Sequence, residues 1–290
     1  MEINGTTRLC GLIGNPVEHT VSPQIHNTLA EKMEINLAYL PFYVEKGRLE
    51  DAVRGAEALY ALGVNVTIPY KTDVIAYLQE IDPMAEVMGS VNTLVRTDGG
   101  WKGYNTDLNG LFRAMQEDGA ALEGEKVLIL GAGGVARTAA FLCAQKGASF
   151  VYILNRSVER AQALAQEVEE KTGYSHIRAM ALSEWDRLPR ERFLAIQCSS
   201  VGLYPDQDAA IIEEAAFYDR IHTGYDLIYR PAVTKFMQMV ENAGGKAYNG
   251  LKMLLYQGIE AFEKWNEVTV PDELASEVYE VIRSISYKKK

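Results

Sequence analysis

The chain of 290 residues has little of three things that often define a protein class: cysteine, positive charge and long apolar runs. Its three cysteines, Cys10, Cys143 and Cys198, are far apart in apolar sequence. We therefore expect buried free thiols in a reducing compartment, with neither disulfides nor a cysteine metal site. The four histidines show no i, i+4 pairing, so we expect no metal. No apolar run approaches the roughly 18 residues of a membrane span, and the first residues lack the pattern of a secretory signal. These absences predict a cytoplasmic protein without a membrane segment.

The balance of charge argues against nucleic acid as a partner. The chain carries 39 acidic and 29 basic residues and a formal net charge of −10, whereas neutralising phosphates requires basic surface. Small anionic ligands stay possible, because a few local positive groups are enough to bind them. The length allows one large or two medium domains. It leaves open whether the protein is a monomer or a homodimer.

The second half of the chain alternates apolar strands with helices. Val127–Leu130 is an uninterrupted apolar run, typical of a parallel strand covered on both faces. A glycine-rich turn and a helix through Lys146 follow, and then a second strand at 150–154. Further apolar strands are predicted at 177–182, 194–197 and 225–228. This alternation predicts an α/β domain with a doubly wound, Rossmann-type sheet.

The first half is also α/β but has no second glycine-rich fingerprint. Its predicted strands are 9–13, 38–44, 64–68 and 91–96, and its predicted helices are 23–33, 48–61, 71–79 and 107–118. The sequence from Leu251 onward is strongly helical and is expected to return to the first half. The prediction is a substrate-binding and catalytic α/β domain of residues 1–106 plus 251–290, a nucleotide domain of residues 107–250, and a ligand cleft between them.

The glycine-rich turn, GAGGVA, has the form G-x-G-x-x-A between a strand and a helix. Such glycines let a pyrophosphate approach the backbone N–H groups of a helix N-terminus, although the turn could also be a ligand-free connection. An NAD site usually has Asp or Glu at the end of the next strand; this chain has Asn155-Arg156, with Arg160 one helical turn later. Guanidinium groups suit a 2′-phosphate, so the pattern predicts NADP. The alternative is that both arginines only serve solvated helix ends.

Three polar positions are ordinary when each is considered alone. Lys71 follows a short strand ended by Pro69 and would usually be a solvated surface charge. Asp107 and Ser22 each precede a helix and are good N-cap residues. The hydroxyls of Thr20 and Ser22 beside a helix N-terminus would nonetheless suit a carboxylate ligand. Local pattern does not decide between these interpretations.

Taken together, eight motifs change that balance. They occur in the order and spacing of shikimate dehydrogenases, and they are GNPVEHTVSPQIHN, NVTIPYK, GSVNTL, GYNTD, GAGGVAR, NRSVER, YDLIY and NGLKMLLYQG. The sequence resembles that family over nearly its whole length. The resemblance implies NADPH-dependent, reversible reduction of 3-dehydroshikimate to shikimate, a step of aromatic amino-acid biosynthesis.

The resemblance also implies roles for individual residues. Lys71 and Asp107 match the catalytic pair, with the lysine giving a proton to the C3 oxygen and the carboxylate binding the substrate and orienting the ammonium. The substrate carboxylate would be bound by Thr20, Ser22 and Tyr229, and the ring hydroxyls by Thr67, Asn92 and Gln257. The cofactor contacts would be Gly131, Ala132, Gly133, Gly134, Val135, Asn155, Arg156, Ser157, Arg160, Leu227 and Gly250.

The sequence departs from the family pattern in places. Thr20 stands where serine is usual, and Tyr70 replaces the commoner phenylalanine. Gln197-Cys198-Ser199-Ser200 replaces the usual Asn-Ala/Thr-Thr-Ser on a cofactor-side loop. Two alternatives remain. One is a quinate/shikimate dehydrogenase that prefers NAD, and the other is a non-catalytic NADP-binding sensor, which the presence of both Lys71 and Asp107 disfavours.

Overall fold

The computed structural model describes residues 2–203 and 205–287, and the chain divides into two compact units. Of the described residues, the first unit contains 2–110 and 255–287, and the second contains those within Leu111–Leu254. Both changes from one unit to the other lie inside helices. The divisions therefore come after residues 110 and 254, where the sequence suggested 106 and 250.

The first unit contains a six-stranded mixed sheet. Its strands are β1 (Arg8–Gly14), β2 (Leu37–Tyr43), β3 (Gly63–Val66), β4 (Glu80–Ile81), β5 (Thr93–Thr97) and β6 (Gly100–Tyr104). The order is β2-β1-β3-β5-β6-β4, with β1 parallel to β2 and β3, and β5 antiparallel to β3 and β6. The carboxyl end of β3 leads directly into the segment that carries Thr67 and Lys71.

The helices of this part of the chain are α1 (Ser22–Lys32), α2 (Leu49–Ala58), α3 (Pro83–Met88) and α4 (Asp107–Glu117). The helix predicted at 71–79 is wrong. Only a short 3-10 turn forms, at Asp73–Tyr77, and β4 follows it. The backbone N–H groups of Gln79 and Asp82 donate to the carbonyl oxygens of Trp101 and Gly103 in β6. Because these groups pair with the sheet, the helix cannot extend through residue 79. Strand β6 itself was not predicted, because glycines interrupt its pattern.

The second unit contains a fully parallel six-stranded sheet. Its strands are β7 (Lys126–Leu130), β8 (Phe150–Asn155), β9 (Ile177–Ala181), β10 (Phe193–Gln197), β11 (Ile221–Asp226) and β12 (Lys246–Asn249), and its helices are α5 (Gly134–Gln145), α6 (Val158–Thr172), α7 (Ala215–Tyr218) and α8 (Lys235–Asn242). The order β9-β8-β7-β10-β11-β12 is that of a doubly wound Rossmann sheet. The predicted fold class is confirmed, and the strand order reverses between β7 and β10.

Two C-terminal helices, α9 (Leu251–Asn266) and α10 (Asp272–Ser286), complete the described chain. The indole Nε1 of Trp265 in α9 donates to the carbonyl of Leu94 at 2.9 Å. Gly63 in β3 leaves the space that this indole fills, since a Cβ there would lie 1.9 Å from Nε1. Helix α10 packs against α1. The predicted return of the C-terminal helices to the first half is therefore confirmed.

Each unit has its own apolar core. The first core is built around Val64, Val66, Leu94 and Trp101, and the second around Leu128, Leu130, Phe193 and Phe217. Cys10 and Cys143 are buried as expected, whereas Cys198 is only half-buried. In the described part of the chain, no helix is at once long and apolar enough to traverse a bilayer.

Candidate active site

Lys71 and Asp107 form a close ion pair in the first unit. Lys71 Nζ lies 2.6 Å from Asp107 Oδ2, and the two side chains are 30% and 15% exposed. The loop after β3 presents the lysine, and its carbonyl accepts a hydrogen bond from the N–H of Val91 at 2.8 Å. Asp107 is the first residue of α4. A partly buried ammonium held by a carboxylate but still open to solvent is suited to proton transfer.

Asn92 fixes the carboxylate of this pair. Its side-chain amide donates to Asp107 Oδ1 at 2.9 Å and to Thr106 Oγ1 at 3.0 Å. Its carbonyl oxygen accepts from the backbone N–H of Thr106 at 2.8 Å. The backbone N–H of Asp107 donates in turn to Asn105 Oδ1 at 3.1 Å. Sequence reasoning named Asn92 and Asp107 but missed the supporting roles of Asn105 and Thr106, for which only the quoted GYNTD motif gave a signal.

Thr20 and Ser22 lie together at the start of α1. Thr20 Oγ1 donates to Ser22 Oγ at 3.0 Å and accepts from the backbone N–H of Ser22 at 3.2 Å. Ser22 is not the N-cap: the helix begins at Ser22, and Val21 occupies the cap position without a side-chain hydrogen bond. The expected cap at Ser22 is therefore wrong: its hydroxyl accepts from Thr20, and it is Thr20 Oγ1 that accepts from the first N–H group of the helix. This geometry leaves them suited to an external acceptor.

The remaining substrate-side residues of this unit, Thr67 and Gln257, are both half-buried. Thr67 directly follows β3, and its backbone N–H donates to Ile13 at 3.0 Å. Gln257 lies in α9 where that helix meets α4: a Cβ on Gly110 would lie only 2.7 Å from the Gln257 nitrogen. Gly110 therefore permits the close approach that brings Gln257 beside α4, the helix that starts at Asp107.

The glycine-rich turn lies between β7 and α5 in the second unit. Gly131 has φ +119°, and a Cβ there would lie 3.3 Å from the backbone of Cys198, so only glycine fits well. Gly133 and Gly134 differ, because a Cβ on either would meet no atom within 4 Å. Together with Ala132 and the 42% exposed Val135, they surround open space at the N-terminus of a 12-residue helix. That geometry fits a pyrophosphate.

Asn155, Arg156, Ser157 and Arg160 follow β8, the strand next to β7. Arg156 and Arg160 are exposed, and neither makes an ion pair with any residue in 2–203 or 205–287. Asn155 Nδ2 donates to the carbonyl of Ser157 at 2.9 Å and shapes the turn. Ser157 occupies the N-cap position of α6, but its hydroxyl donates to Glu159 at 2.8 Å and caps no helix N–H. The two guanidinium groups are thus available to an anionic ligand.

Leu227, Tyr229 and Gly250 lie at the same sheet edge, beyond β11 and β12. A Cβ on Gly250 would lie 2.4 Å from the carbonyl oxygen of Leu227, so the backbone of Leu227 leaves no room for a side chain at position 250. Burial raises the pKa of the Tyr229 phenol, which keeps its hydroxyl protonated and able to donate. The structure therefore places the eleven predicted cofactor residues around the carboxyl ends of β7, β8, β11 and β12.

Comparison with known proteins agrees with this geometry. Residues 12–94 match the family model described as the shikimate dehydrogenase substrate binding domain, and residues 113–188 match the one described as shikimate / quinate 5-dehydrogenase. A curated shikimate dehydrogenase (NADP(+)) from Methanopyrus kandleri is 40% identical over 96% of this chain and 96% of its own length. This chain belongs to the shikimate dehydrogenase family.

Solved structures of the family have the same fold. The shikimate 5-dehydrogenase of Listeria monocytogenes, solved with shikimate and NAD, superposes with a TM-score of 0.89 at 31% identity, covering 97% of this chain and 98% of that one. The enzyme of Thermus thermophilus, solved with NADP(H) and shikimate, gives a TM-score of 0.83 at 30% identity. The match covers 95% of this chain and 99% of that one. Of these two family members, one was thus solved with shikimate and NAD, and the other with shikimate and NADP(H).

Proposed function

We propose that this protein is an NADP-dependent shikimate dehydrogenase, which reversibly reduces 3-dehydroshikimate to shikimate in aromatic amino-acid biosynthesis. One observation carries the proposal: the family's lysine and aspartate are both present and joined at 2.6 Å, with Asn92 holding the second carboxylate oxygen. A non-catalytic protein with the same fold would not need a proton donor held beside a carboxylate.

Reduction of a ketone to an alcohol adds a hydride to carbon and a proton to oxygen. NADPH, when bound, supplies the hydride. Lys71 supplies the proton to the C3 oxygen, and its side chain, 30% exposed, regains a proton from solvent. Asp107 keeps the ammonium in place and accepts a hydrogen bond from the substrate hydroxyl, while Asn92 keeps Asp107 in place. In the reverse direction Lys71 accepts the proton.

The substrate also carries a carboxylate, which the chain would bind with hydroxyl groups. Thr20 and Ser22 lie at the N-terminal end of α1, where the helix dipole favours a negative charge. Tyr229 contributes a protonated phenol, and Thr67 and Gln257 bind the ring hydroxyls. Fixing the ring at both ends orients C3 toward Lys71, which is how binding contacts raise the rate.

Residues of the second unit fit NADP. The open space over Gly133 and Gly134 accommodates the pyrophosphate, and Arg156 with Arg160 would bind the 2′-phosphate. No carboxylate ends β8 to repel that phosphate, and this disfavours the NAD-preferring quinate-type alternative. The assembled Lys71–Asp107 pair disfavours the non-catalytic sensor. We further propose a cytoplasmic enzyme, monomer or homodimer, whose partners are these small molecules.

Product analysis tests the proposal. The purified protein is incubated with 3-dehydroshikimate and NADPH, and the product is identified by chromatography and mass spectrometry. The proposal predicts shikimate, formed in equal amount to the NADPH consumed. Consumption of NADPH without shikimate, or no reaction with a protein shown to bind NADPH, would contradict it.

A further inference from the structure

Two polar side chains are buried at the carboxyl edge of the second sheet, and no predicted role involves them. Gln197 ends β10 and is 1% exposed; Asp226 ends β11 and is fully buried. In the sheet register Gln197 lies opposite Leu130 on one side and Asp226 on the other. Leu130 directly precedes the glycine-rich turn. Because doubly wound sheets bind ligands outside this edge, the two residues lie directly under the predicted cofactor site.

Gln197 holds the loop that follows β10. Its Oε1 accepts from the backbone N–H of Ser199 at 2.5 Å, and its Nε2 donates to the carbonyl of Val201 at 3.0 Å. The same Nε2 lies 3.4 Å from Asp226 Oδ1. The Gln197 side chain therefore reaches both the loop after β10 and the carboxylate that ends β11.

Asp226 holds the loop that follows β11. Its Oδ1 accepts from the backbone N–H of Ile228 at 3.0 Å, and its Oδ2 accepts from Thr234 Oγ1 at 2.5 Å. Thr234 is also the N-cap of α8 and accepts from the N–H of Met237 at 3.3 Å. The loop between these contacts carries Tyr229, and Leu227 follows Asp226 directly.

Burying the Asp226 carboxylate to hold this loop lowers the stability of the folded protein. No lysine, arginine or histidine in residues 2–203 or 205–287 pairs with Asp226, and burial of an unpaired carboxylate opposes folding. Burial raises its pKa to about 6. A group that costs stability and adjoins a ligand site is a candidate for a functional role.

We propose that Gln197 and Asp226 are positioning residues for the nicotinamide half of the cofactor: they fasten the loops after β10 and β11 to each other and so fix Leu227 and Tyr229. The inference rests on the proposed function. Arg156, after β8, would hold the 2′-phosphate of NADP, and the turn after β7 would hold the pyrophosphate. In the strand order the next strands on the other side of β7 are β10 and β11, so the residues at their ends would hold the nicotinamide half.

The two halves of the cofactor can be tested separately. Binding of NADP⁺ and of adenosine 2′,5′-bisphosphate, which has no nicotinamide, is measured by calorimetry for Gln197→Leu, Asp226→Leu and Thr234→Val. We expect the Kd of NADP⁺ to rise about tenfold in each of the three variants, because each loses at least one buried hydrogen bond, while the Kd of the bisphosphate stays within twofold. Asp226→Asn keeps the shape and most hydrogen bonds and should restore NADP⁺ binding.

Tyr174→Phe is the matched control, because it removes the hydrogen bond from Tyr174 to Ala148 near the amino end of β8. It should lower the melting temperature without changing either Kd. If Asp226→Leu fails to fold, Gln197→Leu and Thr234→Val decide. Unchanged NADP⁺ affinity in those variants, or equal loss of both ligands, would overturn the inference. The comparison between variants does not depend on turnover. A failure of the proposed function would instead appear in the wild-type protein, as absent product formation or absent NADP⁺ binding.

Discussion

Replacing Lys71 by methionine removes the ammonium and keeps an unbranched side chain of similar length. Its Nζ lies 2.6 Å from Asp107 Oδ2, so the pair is preassembled for proton transfer. Loss of a positioned general acid costs about 10²–10⁴ in kcat, or about 3–5 kcal/mol of activation free energy. Stability should fall by only about 1 kcal/mol, because the pair is partly solvated and Asp107 keeps its bond from Asn92.

The assay follows NADPH at 340 nm, with thermal unfolding and NADP⁺ affinity measured on the same samples. Lys71→Arg is the matched control. It keeps a cation beside Asp107, but a guanidinium does not release its proton near neutral pH. We expect Lys71→Arg to be nearly as slow as Lys71→Met but more stable. A Lys71→Met enzyme with kcat within threefold of wild type would refute the assignment of the proton donor.

Three further predictions concern other residues of the two units. Thr20→Ala and Ser22→Ala should each raise the KM for shikimate about 10- to 150-fold, the loss of a hydrogen bond to a charged group; a fall in melting temperature with unchanged KM would indicate a purely local structural role. Arg156→Ala should lower the NADP/NAD ratio of kcat/KM by about 10- to 150-fold, and high salt should weaken NADP binding more than NAD binding; the exposed Arg190→Ala should leave the ratio unchanged. The pKa of Asp226 is about 6 in the folded protein and lower in the unfolded chain, so the folded state binds the proton more tightly. The stability that this proton adds is therefore lost as pH rises from about 4 to about 6. The free energy of unfolding of Asp226→Asn, measured in urea relative to that of the wild type, should therefore rise by about 3 kcal/mol between pH 4 and pH 7. If this difference is the same at both pH values, the reasoning is contradicted.

Two other ionisable groups interact with the charge of Asp226. The thiol of Cys198 and the phenol of Tyr218 both feel its charge, and burial raises the pKa of each well above neutrality. Both therefore stay uncharged over the pH range of that experiment. The change between pH 4 and pH 7 then reports on the carboxylate alone at this position.

The glycine-rich turn shows what the sequence predicts well. An apolar strand, three glycines and a helix in one short segment define the local backbone, and Asn155-Arg156 specifies the charge at the next strand end. The C-terminal helices were also predictable, since their apolar faces require a partner. In these places local pattern and tertiary structure demand the same conformation.

Other features depend on contacts between distant parts of the chain. The segment after Lys71 has a helical pattern, yet β6 pairs with it and leaves only a 3-10 turn. Serine is favoured at the N-cap of a helix, but the hydroxyl of Ser22 accepts a hydrogen bond from Thr20 instead. Gln197 and Asp226 are 29 residues apart, and only the parallel register of β10 and β11 places them side by side. Nothing in the local sequence of either residue indicates its partner.

One measurement tests the central claim most directly: initial rates at 340 nm for the wild-type protein with shikimate or quinate, each paired with NADP⁺ or NAD⁺. The pair Lys71–Asp107 and the exposed Arg156 predict that shikimate with NADP⁺ is the fastest pairing, at least tenfold above shikimate with NAD⁺. Equal or faster rates with NAD⁺ or with quinate would contradict the account and favour the quinate-type enzyme. No absorbance change in any pairing would favour the non-catalytic sensor.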